Sequence, residues 1–290
     1  MGQTRYVAVF TSPPGPKDLG HPAGGGRGAV QIITLTTDFG HSDYYVGALK
    51  GVILSLAPKV QVVDITHEIE PHGLLHAAFV LRSVWSWFPP ETVHLAIVDP
   101  GVGTSRRVLA GRYEGRFVVA PDNGLVTFLH RELRAEAMHV VENPRFFLPH
   151  VSGTFQGRDV LAPVAAHLTL GAKLRDFGRA TDRVEVFPLP LRPAVTARGV
   201  SGQVLYVDRF GTLVTNIART SLLALGTHDR QFEVLVNGTS IGPIRGTFGE
   251  VPVGEPVAFI GSTEHLEVAV NQGRAVDRFG PVERTRIEVR

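Results

Sequence analysis

Two kinds of segment alternate along the first part of the chain. Stretches rich in β-branched residues, such as Val30 to Thr37, are each followed by a stretch with apolar residues at helical spacing, such as Asp43 to Leu56. Ser42 is the expected N-cap of that helix. Because such alternation builds a sheet covered by helices on both faces, the sequence predicts an α/β domain, a central sheet flanked by helices, over residues 30–185.

The pattern changes after this domain. Pro188, Pro190 and Pro193 interrupt any regular element, so we interpret residues 186–195 as a linker. Beyond the linker, short strand-like runs are separated by glycines, and no helix-like run is longer than about a dozen residues. We therefore expect a smaller, all-β, barrel-like C-terminal domain over residues 196–290.

The first 29 residues lie outside both patterns. They combine Pro13, Pro14 and Pro16 with the run from Gly24 to Gly26, and they lack the apolar core and cleavage pattern of a signal peptide. We expect residues 1–29 to be a disordered tail and the protein to be cytoplasmic. No apolar run approaches the roughly 20 residues that a membrane span needs, so no membrane partner is expected.

Charge and cysteine content narrow the possible chemistry. Basic and acidic residues are nearly balanced, 29 against 27, and they are interspersed, so no basic stripe predicts a nucleic-acid partner. The sequence contains no cysteine, which excludes disulfides, thiolate metal sites and a cysteine nucleophile. Catalysis would therefore rely on oxygen, imidazole or guanidinium groups.

Three polar clusters follow predicted strands. They are Thr37-Asp38-Phe39-Gly40, the run from Asp99 to Gly103, and Pro121-Asp122-Asn123-Gly124. Ligands of open α/β sheets bind at the carboxyl ends of strands, so each aspartate could project into a crevice there. Turn formation is the simpler explanation of any one cluster, since Asp, Asn and Gly favour turns. Three clusters together favour a functional site.

Other kinds of site fit the sequence less well. The glycine-rich stretches match neither the dinucleotide-binding nor the P-loop pattern. Ser152, Ser201 and Ser262 lack the context of a nucleophile elbow. A metal-dependent hydrolase stays open as an alternative because several histidines flank acidic residues, but no HExxH spacing occurs and we expect no metal site. These histidines are His41, His67, His72 and His76.

The clusters also resemble one known family when they are taken in order. Together with Arg106-Arg107, Gly157-Arg158-Asp159 and the run from Asp208 to Ile217, they resemble the S-adenosyl-L-methionine (SAM) hydroxide adenosyltransferases. That family is related to SAM-dependent fluorinases and chlorinases. The resemblance extends from about Ile32 to the C-terminus, and only the first 30 or so residues fall outside it.

The resemblance implies an activity and an assembly. The implied reaction is hydrolysis of SAM to adenosine and methionine by attack of water or hydroxide on the ribose C5′ carbon. SAM is then the substrate, adenosine a product, and no cofactor is expected. The implied assembly is a homotrimer with active sites between subunits.

Individual residues receive roles from the same resemblance. Asp99 and Arg106 match the catalytic Asp and Arg of the hydrolytic members, and Gln156 stands where those members have a histidine. The resemblance places the ribose hydroxyls at Asp38, the methionine ammonium at Asp43 and Asp208, the methionine carboxylate at Ser262, and the adenine at Thr212, Phe248, Asn271 and Gln272.

Gln156 is the main departure from the family pattern, because glutamine cannot take or give a proton as imidazole can. Two further alternatives therefore stay open: a protein that binds SAM or adenosine with little turnover, and a SAM-dependent halogenase. Asp99 disfavours the halogenase, since it places negative charge where a halide would sit. Thr212 and Thr263 also differ from the residues usual at these positions, which could alter the shape of the pocket.

Overall fold

The computed structural model describes residues 31–187, 192–223, 225, 232–280 and 285–290. The chain divides into two units after Phe187. The expected disordered tail, residues 1–29, lies outside the described residues, as do Pro188 and Pro190 of the expected linker.

The first unit is built on a mixed sheet. Its strands are β1 Ile32–Thr37, β2 Gln61–Thr66, β3 Val93–Ile97, β4 Val108–Tyr113, β5 Arg116–Pro121 and β6 Ala135–Val140. The strand order is β2-β1-β3-β5-β4-β6. β1 pairs in parallel with β2 and β3, and β3 pairs in parallel with β5, whereas β4 is antiparallel to β5 and β6. Thr37 lies opposite Ile97, so the carboxyl ends of β1 and β3 are neighbours.

Helices cover both faces of this sheet, as the sequence predicts. They are α1 Tyr45–Leu56, α2 Leu74–Val84, α3 Thr127–Glu132 and α4 Ala162–Thr169. One hydrophobic core joins Leu49 and Ile53 of α1 and Val164 of α4 to the sheet. A second core joins Leu81 of α2 and Leu129 of α3 to the opposite face. The α/β architecture is therefore confirmed.

The start of α1 and the length of α2 differ from the sequence-based expectation. Tyr44, not Ser42, is the N-cap of α1, because its carbonyl already accepts a hydrogen bond from Ala48 N–H at 2.9 Å, and no side chain caps the helix. The apolar spacing from Gly73 to Phe88 predicts one helix, but α2 ends at Val84, where the chain tightens into a 3₁₀ turn over Trp85–Trp87.

The second unit is a closed β-barrel. Its strands are β7 Ala194–Thr196, β8 Gly199–Val207, β9 Leu213–Ala218, β10 Glu233–Val236, β11 Thr239–Arg245, β12 Pro256–Ile260, β13 His265–Val270 and β14 Arg286–Val289, and its helices are α5 Arg219–Leu223 and α6 Ala275–Phe279. The order β14-β10-β11-β12-β13-β9-β8 closes on itself because β14 also pairs with β8. This closure confirms the expected barrel-like domain. Among the described strands β7 pairs with β8 alone, and it begins at Ala194, within the segment interpreted as a linker.

None of the helices in the described parts of the chain is long and apolar enough to cross a membrane.

Closure of the barrel depends on a close approach between β8 and β14. Gly199 has φ +149°, and a Cβ atom at this position would lie 2.1 Å from the carbonyl oxygen of Val289. We predict that Gly199→Ala destabilises the protein by at least about 2 kcal/mol, because the added methyl group must push the two strands apart. The measurement is the urea midpoint of the far-ultraviolet circular dichroism signal.

Gly249→Ala is the matched control, since a Cβ atom there meets nothing within 4 Å. Equal midpoints for the two variants would contradict the prediction.

Candidate active site

Asp99 and Arg106 form a closely fitted ion pair just beyond the end of β3. Two turns bring the chain back on itself: Val102 N–H donates to the Asp99 carbonyl and Thr104 N–H to the Gly101 carbonyl, each at 3.2 Å. Arg106 Nε then lies 2.9 Å from both carboxylate oxygens of Asp99, and Arg106 Nη2 lies 2.5 Å from Oδ2. The two side chains are only 7% and 9% exposed. A fork of this kind fixes both position and orientation.

Gln156 completes this group. Arg106 Nη2 also donates to Gln156 Oε1, at 2.6 Å. Gln156 directly precedes a π-helical turn, Gly157–Leu161, which continues into α4. π-helical turns are rare and are frequent at functional sites. The structure thus brings together the three side chains to which the sequence resemblance assigns catalysis.

The loop that carries Asp99 packs against the segment that carries Gln156. Gly103 has φ +79°, and a Cβ atom at this position would lie 2.6 Å from the carbonyl oxygen of Gly153. Any larger residue would therefore separate the two segments. This close backbone approach holds Gln156 within reach of Arg106.

The Arg158–Asp159 pair holds the segment that carries Gln156 in place. Asp159 is fully buried and accepts hydrogen bonds from Arg158 Nε at 2.6 Å and from Ser152 N–H at 2.8 Å. Burial acts to raise the pKa of the Asp159 carboxyl, but these hydrogen bonds outweigh it and the pKa is lowered overall. Asp159 is therefore a structural carboxylate that fixes the backbone on either side of Gln156.

Asp38 follows β1 and so lies at the same sheet edge as Asp99. Its Oδ2 accepts a hydrogen bond from His72 N–H at 3.0 Å, and its Oδ1 makes no hydrogen bond with the described residues. Asp43 lies in the turn before α1, is exposed, and has no side-chain partner in the described ranges. Both carboxylates therefore keep oxygens available to a ligand.

An aromatic wall of Phe39, Tyr44, Tyr45 and Phe155 adjoins Asp38, Asp43 and Gln156 along the sequence. The Phe39 ring lies 5.9 Å from those of Tyr45 and Phe155, and the Tyr45 and Phe155 rings are 5.2 Å apart. Tyr44 stacks on Tyr45 at 4.7 Å and is 65% exposed. This aromatic wall was not predicted from the sequence. The sequence contains one signal for it: Phe39 directly follows Asp38, and Phe155 directly precedes Gln156.

The third polar cluster, Pro121-Asp122-Asn123-Gly124, has a structural role. The Asp122 carboxylate is buried and accepts hydrogen bonds from Arg107 Nε at 2.9 Å and from Glu185 N–H at 2.8 Å. Asn123 Nδ2 donates to the Val98 carbonyl at 2.9 Å. The expectation that Asp122 projects into a crevice is therefore wrong, because its oxygens tie the end of β5 to neighbouring segments.

Two of the four histidines that suggested a metal-dependent hydrolase, His67 and His76, have polar protein partners. His67 Nδ1 lies 2.8 Å from Thr37 Oγ1, and its Nε2 lies 3.1 Å from Asp64 Oδ1. Burial lowers the pKa of His67. His76 Nδ1 pairs with Glu70 at 2.6 Å. Within the described residues, no group of three or more histidine and carboxylate side chains could hold a metal ion.

In the barrel, Asp208 shapes the turn between β8 and β9. Its Oδ1 accepts hydrogen bonds from Phe210 N–H at 2.9 Å and from Thr212 N–H at 2.7 Å. The Thr212 side chain is buried. Glu267 was not identified from the sequence: burial, together with the negative charge of Asp208, raises the pKa of its carboxyl to about 7.

The other barrel residues predicted to bind substrate lie outside the strands. Phe248 is 45% exposed and packs on Phe259 with ring centroids 4.5 Å apart. Ser262 and Gln272 are exposed. Asn271 Nδ2 donates to the Val251 carbonyl at 2.8 Å, so its side chain holds a loop in place.

Comparison with protein families gives two consecutive matches. The N-terminal domain model of the SAM hydroxide adenosyltransferases matches residues 33–178. The C-terminal domain model of the same family matches residues 202–288. Each model falls within one of the two units.

Individual relatives span nearly the whole chain. The (R)-S-adenosyl-L-methionine hydrolase of Thermus thermophilus is 40% identical over 87% of this chain and 96% of its own length. A fluorinase of an Actinoplanes species is 30% identical over 83% of this chain and 91% of its own. A crystal structure of an uncharacterized conserved protein from Thermotoga maritima superposes with a TM-score of 0.83 at 37% identity, covering 89% of this chain and 99% of that one.

The Arg158–Asp159 pair makes the stability of the first unit depend on pH. Because the pKa of Asp159 is lowered in the folded protein, its contribution is present at neutral pH and is lost as pH falls below about 4. We predict that Asp159→Asn costs about 2 kcal/mol at pH 7 and much less at low pH. The measurement is urea unfolding followed by tryptophan fluorescence, since Trp85 and Trp87 both lie in this unit.

Asp182→Asn is the control, because Asp182 is exposed and has no side-chain partner in the described ranges. A cost for Asp159→Asn that is equal at both pH values would show that the prediction is wrong.

Proposed function

The chain belongs to the SAM hydroxide adenosyltransferase family, and on that premise we propose that it hydrolyses SAM to adenosine and L-methionine. The observation that carries this proposal is the Asp99–Arg106–Gln156 group beside the carboxyl ends of β1 and β3. It supplies polar groups that could hold the nucleophile at the edge of the sheet where ligands of α/β domains bind.

Hydrolysis of SAM requires few catalytic groups. The sulfonium of SAM leaves C5′ as a neutral thioether, so no general acid is needed, and the protein has to hold the incoming oxygen in line with the C5′–S bond. In this proposal Arg106 and Asp99 position that oxygen and Gln156 orients it. No metal ion or other cofactor takes part.

The names of the relatives support one configuration of the substrate. The hydrolases of Thermus thermophilus and Salinispora tropica, 40% and 39% identical to this chain, are named for the (R) form of SAM. We infer that this chain also prefers the epimer with (R) configuration at sulfur.

The remaining substrate contacts come from both units. In the proposal Asp38 binds the ribose hydroxyls, supported by its free Oδ1, and Asp43 and Asp208 bind the methionine ammonium. Ser262 binds the methionine carboxylate, while Thr212, Phe248, Asn271 and Gln272 form the adenine pocket. We further propose a cytoplasmic homotrimer with active sites between subunits.

The test uses SAM that has been partly epimerised at sulfur. We predict that adenosine and methionine form in equal amounts until the (R) fraction is consumed, that the (S) fraction remains, and that EDTA has no effect. Chiral chromatography of SAM and chromatography of adenosine provide the measurement.

The possible failures separate the parts of the proposal. Consumption of both epimers at one rate would contradict the (R) preference, and inhibition by EDTA would contradict metal independence. SAM binding without any adenosine would support the alternative of a binding protein with little turnover.

The ion pair itself is tested by substitution. We predict that Asp99→Asn and Arg106→Lys each lower kcat by about 10²-fold or more, because the first removes the charge and the second removes the planar fork that fix the Asp99–Arg106 pair beside the nucleophile. Asp182→Asn, far from this group in sequence and exposed, serves as the control and should keep full activity. Unchanged kcat in either site variant would remove that residue from the mechanism.

A further inference from the structure

A buried histidine adjoins the turn that carries Asp38. His67 directly follows β2 and is 1% exposed. Its Nδ1 lies 2.8 Å from Thr37 Oγ1, at the end of β1, and its carbonyl oxygen accepts a hydrogen bond from Gly40 N–H at 2.8 Å. Between Thr37 and Gly40 lie only Asp38 and Phe39. His67 therefore contacts both ends of this turn, one through its ring and the other through its backbone.

A carboxylate contacts the ring of His67 on its other side. His67 Nε2 lies 3.1 Å from Asp64 Oδ1, and Lys50 Nζ of α1 lies 2.6 Å from Asp64 Oδ2. Burial acts to raise the pKa of the Asp64 carboxyl, but its contacts with Lys50 and His67 outweigh this effect and the pKa is lowered overall. Asp64 is therefore ionised at neutral pH and can only accept, so the ring nitrogen that faces it carries a hydrogen.

The ring of His67 is neutral at neutral pH. Among the described residues, the charged or titratable side chains that face it are Asp64, Lys50 and His41, whose ring lies 5.0 Å away. Burial lowers the pKa of His67, and the contact with Asp64 offsets this effect only in part. The single ring hydrogen is therefore on Nε2, which leaves Nδ1 as a hydrogen-bond acceptor.

The neutral ring determines the direction of the contact with Thr37. Because Nδ1 accepts, the Thr37 hydroxyl donates to it. The same hydroxyl oxygen accepts a hydrogen bond from Phe39 N–H at 3.2 Å. The hydrogen bonds thus run from the backbone beside Asp38, through Thr37, to His67. They hold the residues on either side of Asp38.

The order of carboxylate, imidazole and hydroxyl is that of a hydrolase triad, but the hydroxyl here cannot be a nucleophile. Thr37 is 0% exposed, so a substrate atom cannot reach its oxygen. Within the described ranges no hydrogen bond joins His67 to Asp99 or Arg106. The contacts of His67 lead instead to the turn that carries Asp38.

We propose that His67 is a positioning residue for Asp38, and that its ring and carbonyl hold the turn so that the Asp38 carboxylate meets the ribose hydroxyls. This inference rests on the proposed function. His72 N–H already holds Asp38 Oδ2 at 3.0 Å, so the turn sets the direction of the remaining oxygen, Oδ1. Ribose hydroxyls are present in substrate, transition state and product alike. A displaced Asp38 therefore weakens binding and leaves kcat nearly unchanged.

Adenosine and 2′,3′-dideoxyadenosine are the probes for this role, because the second lacks the hydroxyls that Asp38 would bind. We expect the unaltered protein to bind adenosine more tightly. His67→Leu removes the ring contacts and should lower the affinity for adenosine by about tenfold, with little change for the dideoxy compound. KM for SAM should rise with little change in kcat. Titration calorimetry on the complete protein and initial rates provide the measurements.

Thr37→Val tests the same hydrogen bond from its other end. It removes the hydroxyl that His67 accepts from, with little change in the shape of the side chain. We expect the same selective loss of adenosine affinity, since the turn loses the same contact. This variant keeps the test decisive if His67→Leu does not fold.

His94→Leu is the matched control. His94 is also buried in the first unit, and its Nδ1 likewise lies 2.8 Å from a threonine hydroxyl of β1, that of Thr34. Thr34 lies within β1 and not at the turn. We expect His94→Leu to lower the urea midpoint, because a buried hydrogen bond is lost, but to keep the full preference for adenosine.

The outcomes distinguish this inference from the proposed function. An undiminished preference for adenosine in His67→Leu and Thr37→Val, or an equal loss of preference in His94→Leu, would overturn the role of His67 while the hydrolase proposal stands. Equal affinity of the unaltered protein for the two nucleosides would also overturn it. An unaltered protein that binds neither nucleoside and forms no adenosine from SAM would overturn the proposed function as well.

Discussion

The fork between Arg106 and Asp99 is the contact on which the arrangement of the site depends. It closes a short loop after β3, because Arg106 can reach both Asp99 oxygens only if the chain turns twice between them. The same guanidinium reaches Gln156, which lies on a separate segment before α4. One side chain therefore determines where the carboxylate, the carboxamide and their two segments lie relative to each other.

Two further arginine–aspartate pairs surround this group without sharing its chemistry. Arg107–Asp122 and Arg158–Asp159 each direct the remaining carboxylate oxygens to backbone N–H groups, so they hold segments in place. The Asp99 pair differs because its guanidinium also reaches Gln156, whose amino group makes no hydrogen bond within the described ranges. The adjacent residues Arg106 and Arg107 therefore have different roles: Arg106 belongs to the candidate site, and Arg107 holds segments in place. Their positions in the sequence alone do not distinguish these roles.

Local patterns predicted the fold well where a segment carries its own signal. The alternation of strands and helices, and the glycine-punctuated strands beyond it, follow from periodicity. β6 was not expected from the sequence; it lies at the edge of the sheet and pairs antiparallel with β4. Asp99, Arg106 and Gln156 were identified through motif order. The aromatic wall and Glu267 were not, because ring contacts and the neighbourhood of Asp208 arise only when distant segments meet.

The leaving group explains why such a group could act without a general acid. A departing thioether is neutral, so neither protonation nor metal coordination of sulfur would lower the barrier much. The protein can therefore lower the barrier mainly by stabilising the incoming oxygen. The Asp99 carboxylate holds the Arg106 guanidinium, and the guanidinium holds the hydrogen-bond donors in place. The site therefore needs little reorganisation when the oxygen attacks. A glutamine whose oxygen is occupied by Arg106 presents a fixed donor, and it does so without the change of charge that an imidazole undergoes near neutral pH.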